Sequence, residues 1–303
     1  MTAPPPAYRR AHEDGTLRQR IDAAREKLHG CNLCPRRCGV DRLAGDAGFC
    51  RTTDCAWVAS FSPHFGEEAP LVGRNGSGTI FFTHCNLGCV FCQNYDLSHQ
   101  AAGEAVTVRQ LADMMLHLQR QGCHNINFVS PSHVVAQILE ALAIAIPQGL
   151  RIPLVYNSGG YDAPETLALL DAVFDIYMPD FKFWKSSSAR KYCGAADYPE
   201  VARQALVVMH RQVGDLSVDC NGVAIRGMIV RHLVMPGGLD ESRAILSFIA
   251  SSLSRDTYVN LMPQYRPCGE AHRFPALARQ LTVAEFESAI LAALEAGLRR
   301  LDG

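Results

Sequence analysis

From Gly78 onward, apolar runs short enough to be strands alternate six times with segments of helical period, and this alternation constrains the fold more than any other feature. The runs cover 79–83, 125–130, 152–157, 174–181, 223–234 and 257–262. The clearest helical pattern is VRQLADMMLHLQRQG, in which Val108, Leu111, Met115 and Leu118 share one face and Gly122 stops the helix. Further helices are predicted at 133–146, 164–173, 199–213, 239–253 and 283–298. Strand and helix in strict alternation imply parallel βα units, and six units rather than eight predict an open, partial (βα)6 barrel of the α/β class. Ligands of such sheets meet the C-terminal ends of the strands. Here those ends carry SPSH, YNSGG, MPDFK, HLVMPGG and MPQYRP.

The sequence divides into 1–30, a polar arm with three consecutive prolines and a short helix near 17–28; 31–77, a small Cys-rich metal-binding segment; and 78–303, the barrel. A chain of 303 residues suits one such core with an appendage. A net charge of −1 gives no electrostatic reason for a nucleic-acid or anionic-membrane partner. No apolar run approaches the ~20 residues that span a bilayer. The start, MTAPPPAYRR, has no apolar segment of the secretory kind, so a cytoplasmic location is expected. Twelve cysteines are many for a reducing compartment, and seven fall in two tight clusters, which favours metal ligation over disulfides.

The stretch THCNLGCVFCQN places Cys85, Cys89 and Cys92 directly after the first strand. A zinc ion closed by protein wants a fourth ligand nearby. A [4Fe–4S] cluster held by three thiolates leaves one iron open to substrate or cofactor. A zinc knuckle or three buried cysteines is the structural alternative. With Phe91 before its last cysteine, CNLGCVFC resembles the CxxxCxφC motif of the radical SAM superfamily. Segments 78–94 and 175–182, with HNIN, VYNSGGY and VRHLVMPG, resemble pyruvate formate-lyase activating-enzyme-like proteins, and the likeness covers about 31–267.

The resemblance implies a mechanism. The open iron chelates S-adenosylmethionine, the reduced cluster donates one electron, and the sulfonium cleaves to methionine and a 5′-deoxyadenosyl radical that abstracts hydrogen from a substrate. A one-electron donor such as flavodoxin or ferredoxin is implied. The substrate is a glycyl-radical protein, a small molecule or another macromolecule; a non-enzymatic iron–sulfur or zinc scaffold is the contrary reading.

The resemblance also suggests residues around the cofactor. Relatives carry a GGE-like segment where this chain has VSPSH, so Ser130 or Ser132 would meet the amino group, unless Ser132 caps a helix. Asn157 lies where relatives place polar cofactor contacts, and Gly159 and Gly160 allow close backbone approach. Asp180 and Lys182 match an Asp-x-Lys pair, which must face a cavity or pair internally. Adjacent Arg231 and His232 face opposite sides of a strand, and Arg231 is favoured for the cofactor carboxylate, a salt bridge to the barrel wall being the alternative. His64, His84 and His133 read as structural. Gln264 and Tyr265 sit at the substrate mouth, or Tyr265 packs under the C-terminal helix.

Cys31, Cys34, Cys38 and Cys50 supply four thiolates, enough for tetrahedral zinc or a complete auxiliary [4Fe–4S] cluster. A zinc staple is favoured because a loop-rich segment has little core of its own. Cys55 is a spare or a substitute for one of the four. Cys123, Cys193, Cys220 and Cys268 read as ordinary free cysteines, and Cys268 is the one singled out for reactivity.

Overall fold

The computed structural model describes residues 5–302. Its strands are β1 (Ala56–His64), β2 (Ser77–Phe82), β3 (Glu104–Val106), β4 (Ile126–Val129), β5 (Leu154–Ser158), β6 (Ile176–Pro179), β7 (Ser217–Val218), β8 (Ala224–Leu233), β9 (Tyr258–Met262) and β10 (Arg300–Leu301). The helices are α1 (Ala7–Glu13), α2 (Thr16–His29), α3 (Ala69–Val72), α4 (Tyr95–Gln100), α5 (Val108–Arg120), α6 (Val135–Ala145), α7 (Pro164–Leu170), α8 (Ser186–Cys193), α9 (Tyr198–Val213), α10 (Leu239–Phe248) and α11 (Val283–Glu295). A π turn, Ile249–Leu253, continues α10.

Strands β2, β4, β5, β6, β8 and β9 run parallel in that spatial order and are the six read from the sequence; β10 extends them. At the other edge β1 and β3 add antiparallel strands, and β7 makes a short ladder with β8.

Alternation along each strand separates two apolar layers. Ile80, Phe82, Ile126, Phe128, Tyr156, Tyr177 and Val230 face the helices in one large core. Val155, Ile176, Met178 and Ile229 face the other way, into the barrel lumen, where Leu71 of α3 and Leu216 join them. Helix α3 follows the end of β1 and precedes the start of β2, so Leu71 closes the lumen at the N-terminal ends of the strands. The helical period of α5 buries Leu111, Met115 and Leu118, and a Thr107/Gln110 capping box starts the helix.

Three expectations differ from the structure. The start of the chain is docked rather than a mobile arm: Tyr8 is fully buried, its hydroxyl donates to the Ile152 carbonyl at 3.0 Å, and the Ala7 N–H donates to Asp175 at 2.9 Å. The first four residues of that arm lie outside the described residues. Residues 56–64, placed in the Cys-rich segment, form β1 of the main sheet, because alternate residues such as Ala56 and Val58 turn inward. Strand β6 ends at Pro179 rather than 181, with Asp180 making one isolated bridge to Arg231. Among the described residues no helix is long and apolar enough to cross a membrane.

Candidate active site

The loop between β2 and α4 carries Cys85, Cys89 and Cys92 at the C-terminal end of the first parallel strand. Burial, with Cys89 and Cys92 close by, pushes the Cys85 thiol up to about 12, so the thiol stays protonated unless a metal displaces the proton. The Leu87 N–H donates to Cys85 Sγ at 3.3 Å, and the Ser98 hydroxyl of α4 donates to Cys92 Sγ at 3.2 Å. The Lys182 ammonium acts on all three sulfurs. Three soft sulfurs served by hydrogen-bond donors and a cation fit an iron–sulfur cluster. As the side chains stand, no three or more His, Cys, Asp or Glu among the described residues close into a metal cage.

A fourth cysteine belongs to this neighbourhood. Cys193, at the end of α8, is fully buried with its sulfur 3.2 Å from that of Cys89. The junction is built by backbone: Gly88 N–H donates to the Cys193 carbonyl at 3.3 Å and Val90 N–H to that of Tyr192 at 2.9 Å. From the sequence Cys193 reads as an ordinary free cysteine, because no local spacing ties residue 193 to residue 89.

Asp180, Lys182, Arg231 and Asn157 meet on the lumen side of the strand ends. Arg231 Nε donates to Asp180 Oδ1 at 2.8 Å and Nη2 to Asn157 Oδ1 at 2.7 Å, while the Lys182 ammonium donates to Asp180 Oδ2. Burial alone would raise the Asp180 pKa, but Arg231 and Lys182 outweigh it and hold the carboxyl below its usual range. Burial disfavours the charge on both bases; Asp180 outweighs it and keeps each protonated. Arg231 thus binds protein partners with two of its nitrogens, and His232 faces outward, bonding the Phe181 carbonyl and Ser242 of α10.

The turn after β5 is fitted to this network. Gly160 has φ +74, and a Cβ there would lie 2.1 Å from the Asp180 carbonyl oxygen. The Tyr198 hydroxyl of α9 lies within hydrogen-bond distance of the Gly159 and Asp180 carbonyls and accepts from the Lys182 N–H.

Ser130, just after β4, is in the left-handed region (φ +59), and its N–H donates to the Asn157 carbonyl. Ser132 caps no helix: its hydroxyl donates to Asp162 at 2.6 Å, and Ser158 and Tyr156 add two more hydroxyl donors at 2.6 and 2.9 Å. Burial raises the Asp162 carboxyl despite the three hydroxyls. Asp162 thereby ties the β4 and β5 loops together.

Other candidates are structural in their contacts. Burial, then Arg42, pushes His133 down to about 3, leaving a neutral ring against the Thr83 carbonyl at 3.0 Å. His84 has φ +65 and meets Trp57 edge-on. His64 lies 3.5 Å from Glu67. Tyr265 does not reach a mouth: it is buried, packs against Phe91 and donates to the Leu277 carbonyl. The Gln264 carbonyl accepts from Gln93. Cys268 is half-buried.

The segment between α2 and β1 contains no helix or strand. Burial pushes the Cys34 thiol up to about 12, with Cys50, Cys31 and Cys38 adding to the rise, so the four sulfurs share one neighbourhood. The Phe49 N–H donates to Cys38 Sγ at 3.3 Å. Cys55 is exposed and is not among the neighbours of Cys34. Two arginines, neither foreseen from the sequence, fasten the segment to the barrel. Fully buried Arg42 donates to the Thr53 carbonyl through Nε and Nη2 and to the His133 carbonyl at 2.8 Å. Arg36 lies over the Phe49 ring and donates to the carbonyls of Asn86, Gly194 and Cys193 at 2.9, 2.7 and 3.3 Å.

A family model described as the radical SAM superfamily matches residues 79–242. "Uncharacterized protein MJ0674" of Methanocaldococcus jannaschii is 33% identical over 281 residues, spanning 89% of this chain and 76% of that protein. Among solved structures, native anSMEcpe with bound AdoMet aligns with a TM-score of 0.48 at 9% identity, covering 72% of this chain and 61% of that one. Streptococcus suis SuiB aligns with a TM-score of 0.45 at 10% identity, covering 73% of this chain and 46% of that one.

Proposed function

The chain belongs to the radical SAM superfamily, and from that premise we propose the residues and the reaction by which it works. Cys85, Cys89 and Cys92 hold a [4Fe–4S] cluster, and Ser130, Asn157, Asp180, Lys182 and Arg231 surround S-adenosylmethionine. When bound, the cluster would supply the one electron needed for reductive cleavage of the sulfonium. The single observation that carries the reading is the adjacency of the three thiols, one buried and two half-buried, to the Lys182–Asp180–Arg231 network at the strand ends.

This chain's own groups have definable tasks. Leu87 N–H and the Ser98 hydroxyl stabilise sulfur as thiolate. Asp180 orients Arg231 and Lys182 on the lumen side of the strand ends, and a bound cofactor and substrate would close that opening against bulk water. The electron donor is a flavodoxin or ferredoxin, and the radical acts on a glycyl-radical protein, a small molecule or another macromolecule. Cys31, Cys34, Cys38 and Cys50 hold a second metal; zinc suits the four sulfurs of a segment without secondary structure, and an auxiliary [4Fe–4S] cluster satisfies the same donors.

The test is anaerobic reconstitution with iron and sulfide, followed by dithionite and S-adenosylmethionine. Formation of 5′-deoxyadenosine well above a Cys89→Ala control is expected, and none above that control would refute the reading. Metal analysis of a Cys31→Ala/Cys34→Ala variant should show selective loss of zinc, or of about four irons if the second site is a cluster. An unchanged metal content would remove the second site.

A further inference from the structure

We propose that the lumen floor binds a cationic group of the substrate, a primary ammonium or a guanidinium, through Glu67, Glu68 and Asn127. The proposal rests on the radical SAM reading above and names the substrate class for it.

Glu67 and Glu68 lie between β1 and α3, where the chain crosses the N-terminal end of the barrel. Their side chains are only 8% and 4% exposed. Two adjacent carboxylates buried together need a cation close by. Arg231 is the nearest, but its Nη1 stands 4.0 Å from Glu67 and 3.9 Å from Glu68, too far for a hydrogen bond. Its shorter bonds go to Asp180 and Asn157.

The remaining polar atoms are incompletely paired. Glu68 Oε1 accepts from Asn260 at 2.9 Å, whereas Oε2 has no partner among the described residues. Asn127 lies beside Glu67 and is fully buried. It pairs with Val155 across the ladder and sits two residues before Val129, the partner of Asn157, so its side chain points into the lumen. Its amide nitrogen lies close enough to Glu67 to favour that carboxylate's charge but falls short of good hydrogen-bond geometry, and its amide oxygen has no partner among the described residues. An unpaired buried amide is costly, and a ligand that donates to its oxygen and to the two glutamates removes part of that cost.

Charge gives the sign of the ligand. With Glu67 ionised, Glu67, Glu68 and Asp180 face Lys182 and Arg231 and leave one negative charge in excess, and His64 is charged only when protonated. Burial raises the Glu67 pKa above its usual range, and an arriving cation would favour its carboxylate. An anionic ligand would meet repulsion at the same place. The lumen is open toward the strand C-termini, for the Arg231 and Lys182 side chains each keep 18% of their surface exposed. A ligand entering there passes the cofactor network before its head reaches the acids; Val155 and Met178 are fully buried, so an alkyl stem reaches them only if the packed side chains of the lumen shift.

The test uses n-butylamine and agmatine against 1-butanol and butyrate, added to the reconstituted protein with S-adenosylmethionine, with thermal unfolding and titration calorimetry as readouts. Both amines should raise the melting temperature with concentration, and butanol and butyrate should not. Glu68→Gln should weaken amine binding by about tenfold or more, as loss of one charge-assisted bond implies. Asn127→Leu, which replaces an unpaired amide by an apolar group of similar size, should melt higher than wild type without amine and respond less to it. Equal responses to butyrate, or no amine response in a wild-type preparation that forms 5′-deoxyadenosine, would overturn the site and leave the radical SAM reading standing. Failure of wild type to form 5′-deoxyadenosine would instead strike the reading beneath it.

Discussion

The sulfurs of Cys89 and Cys193 lie 3.2 Å apart, 104 residues distant in sequence. With Cys89 as a thiolate ligand, the Cys193 thiol becomes a hydrogen-bond donor to it, and such donors raise the reduction potential of a cluster. Cys193→Ala is therefore predicted to make the cluster harder to reduce, while Cys193→Ser, which keeps a donor, should recover part of the difference. Redox titration followed by electron paramagnetic resonance measures this directly. Identical midpoints for wild type and the alanine variant would show that Cys193 has no such role.

Arg42 is a buried cation that donates to carbonyls, twice to Thr53 and once to His133, and lies 4.0 Å from the Cys31 sulfur through Nη1. Arg42→Ala strands both carbonyls and removes packed volume, with a predicted loss of more than about 3 kcal/mol in urea unfolding. Arg42→Lys should rescue little, because one ammonium lacks the planar fork that serves both carbonyls. A loss below about 1 kcal/mol would contradict this account.

Gly160 combines positive φ with a Cβ position 2.1 Å from the Asp180 carbonyl. Gly160→Ala is expected to destabilise by about 3 kcal/mol or more, and to displace Asp180 so that 5′-deoxyadenosine formation falls sharply. A variant with normal stability and normal cleavage would mean the turn is more pliable than its geometry implies.

Burial raises Asp175 from 3.8 to about 6, against the Ala7 and Leu154 N–H donors that favour its charge. Between those values the folded chain holds a proton that the unfolded chain has lost, so this group's contribution to stability falls as pH rises from about 4 to 6 and is level above. In Asp175→Asn that component disappears, and the variant should gain relative to wild type across the window by on the order of 3 kcal/mol. Denaturant unfolding at several pH values checks the slope; parallel curves for the two proteins would refute it.

Local sequence made the parallel strands and the Cys85, Cys89 and Cys92 loop visible, because apolar runs, helical period and close cysteine spacing are short-range signals. Helix α1 carries no such signal: it is docked through Tyr8 on Ile152 and Ala7 on Asp175, partners that no window around residue 8 contains. Strand β1 was hidden by the cysteines preceding it, although Ala56 and Val58 alternate as a strand should. In the lumen, Asn127 reads as one more residue of an apolar strand. Glu68 finds Asn260 across 192 residues, a pairing set by closure of the barrel rather than by neighbours in the chain.

Arg36 lies within the N-terminal cysteine segment, yet it donates to Asn86 in the Cys85 loop and to Cys193 and Gly194 at the end of α8. One side chain therefore spans both sulfur neighbourhoods, and ordering either loop restricts the other. By thermodynamic reciprocity, a metal that orders one loop increases the affinity of the other by the same factor that it receives. Were both loops to take metal as proposed, their assembly would be cooperative, and half-loaded protein would be the scarce species.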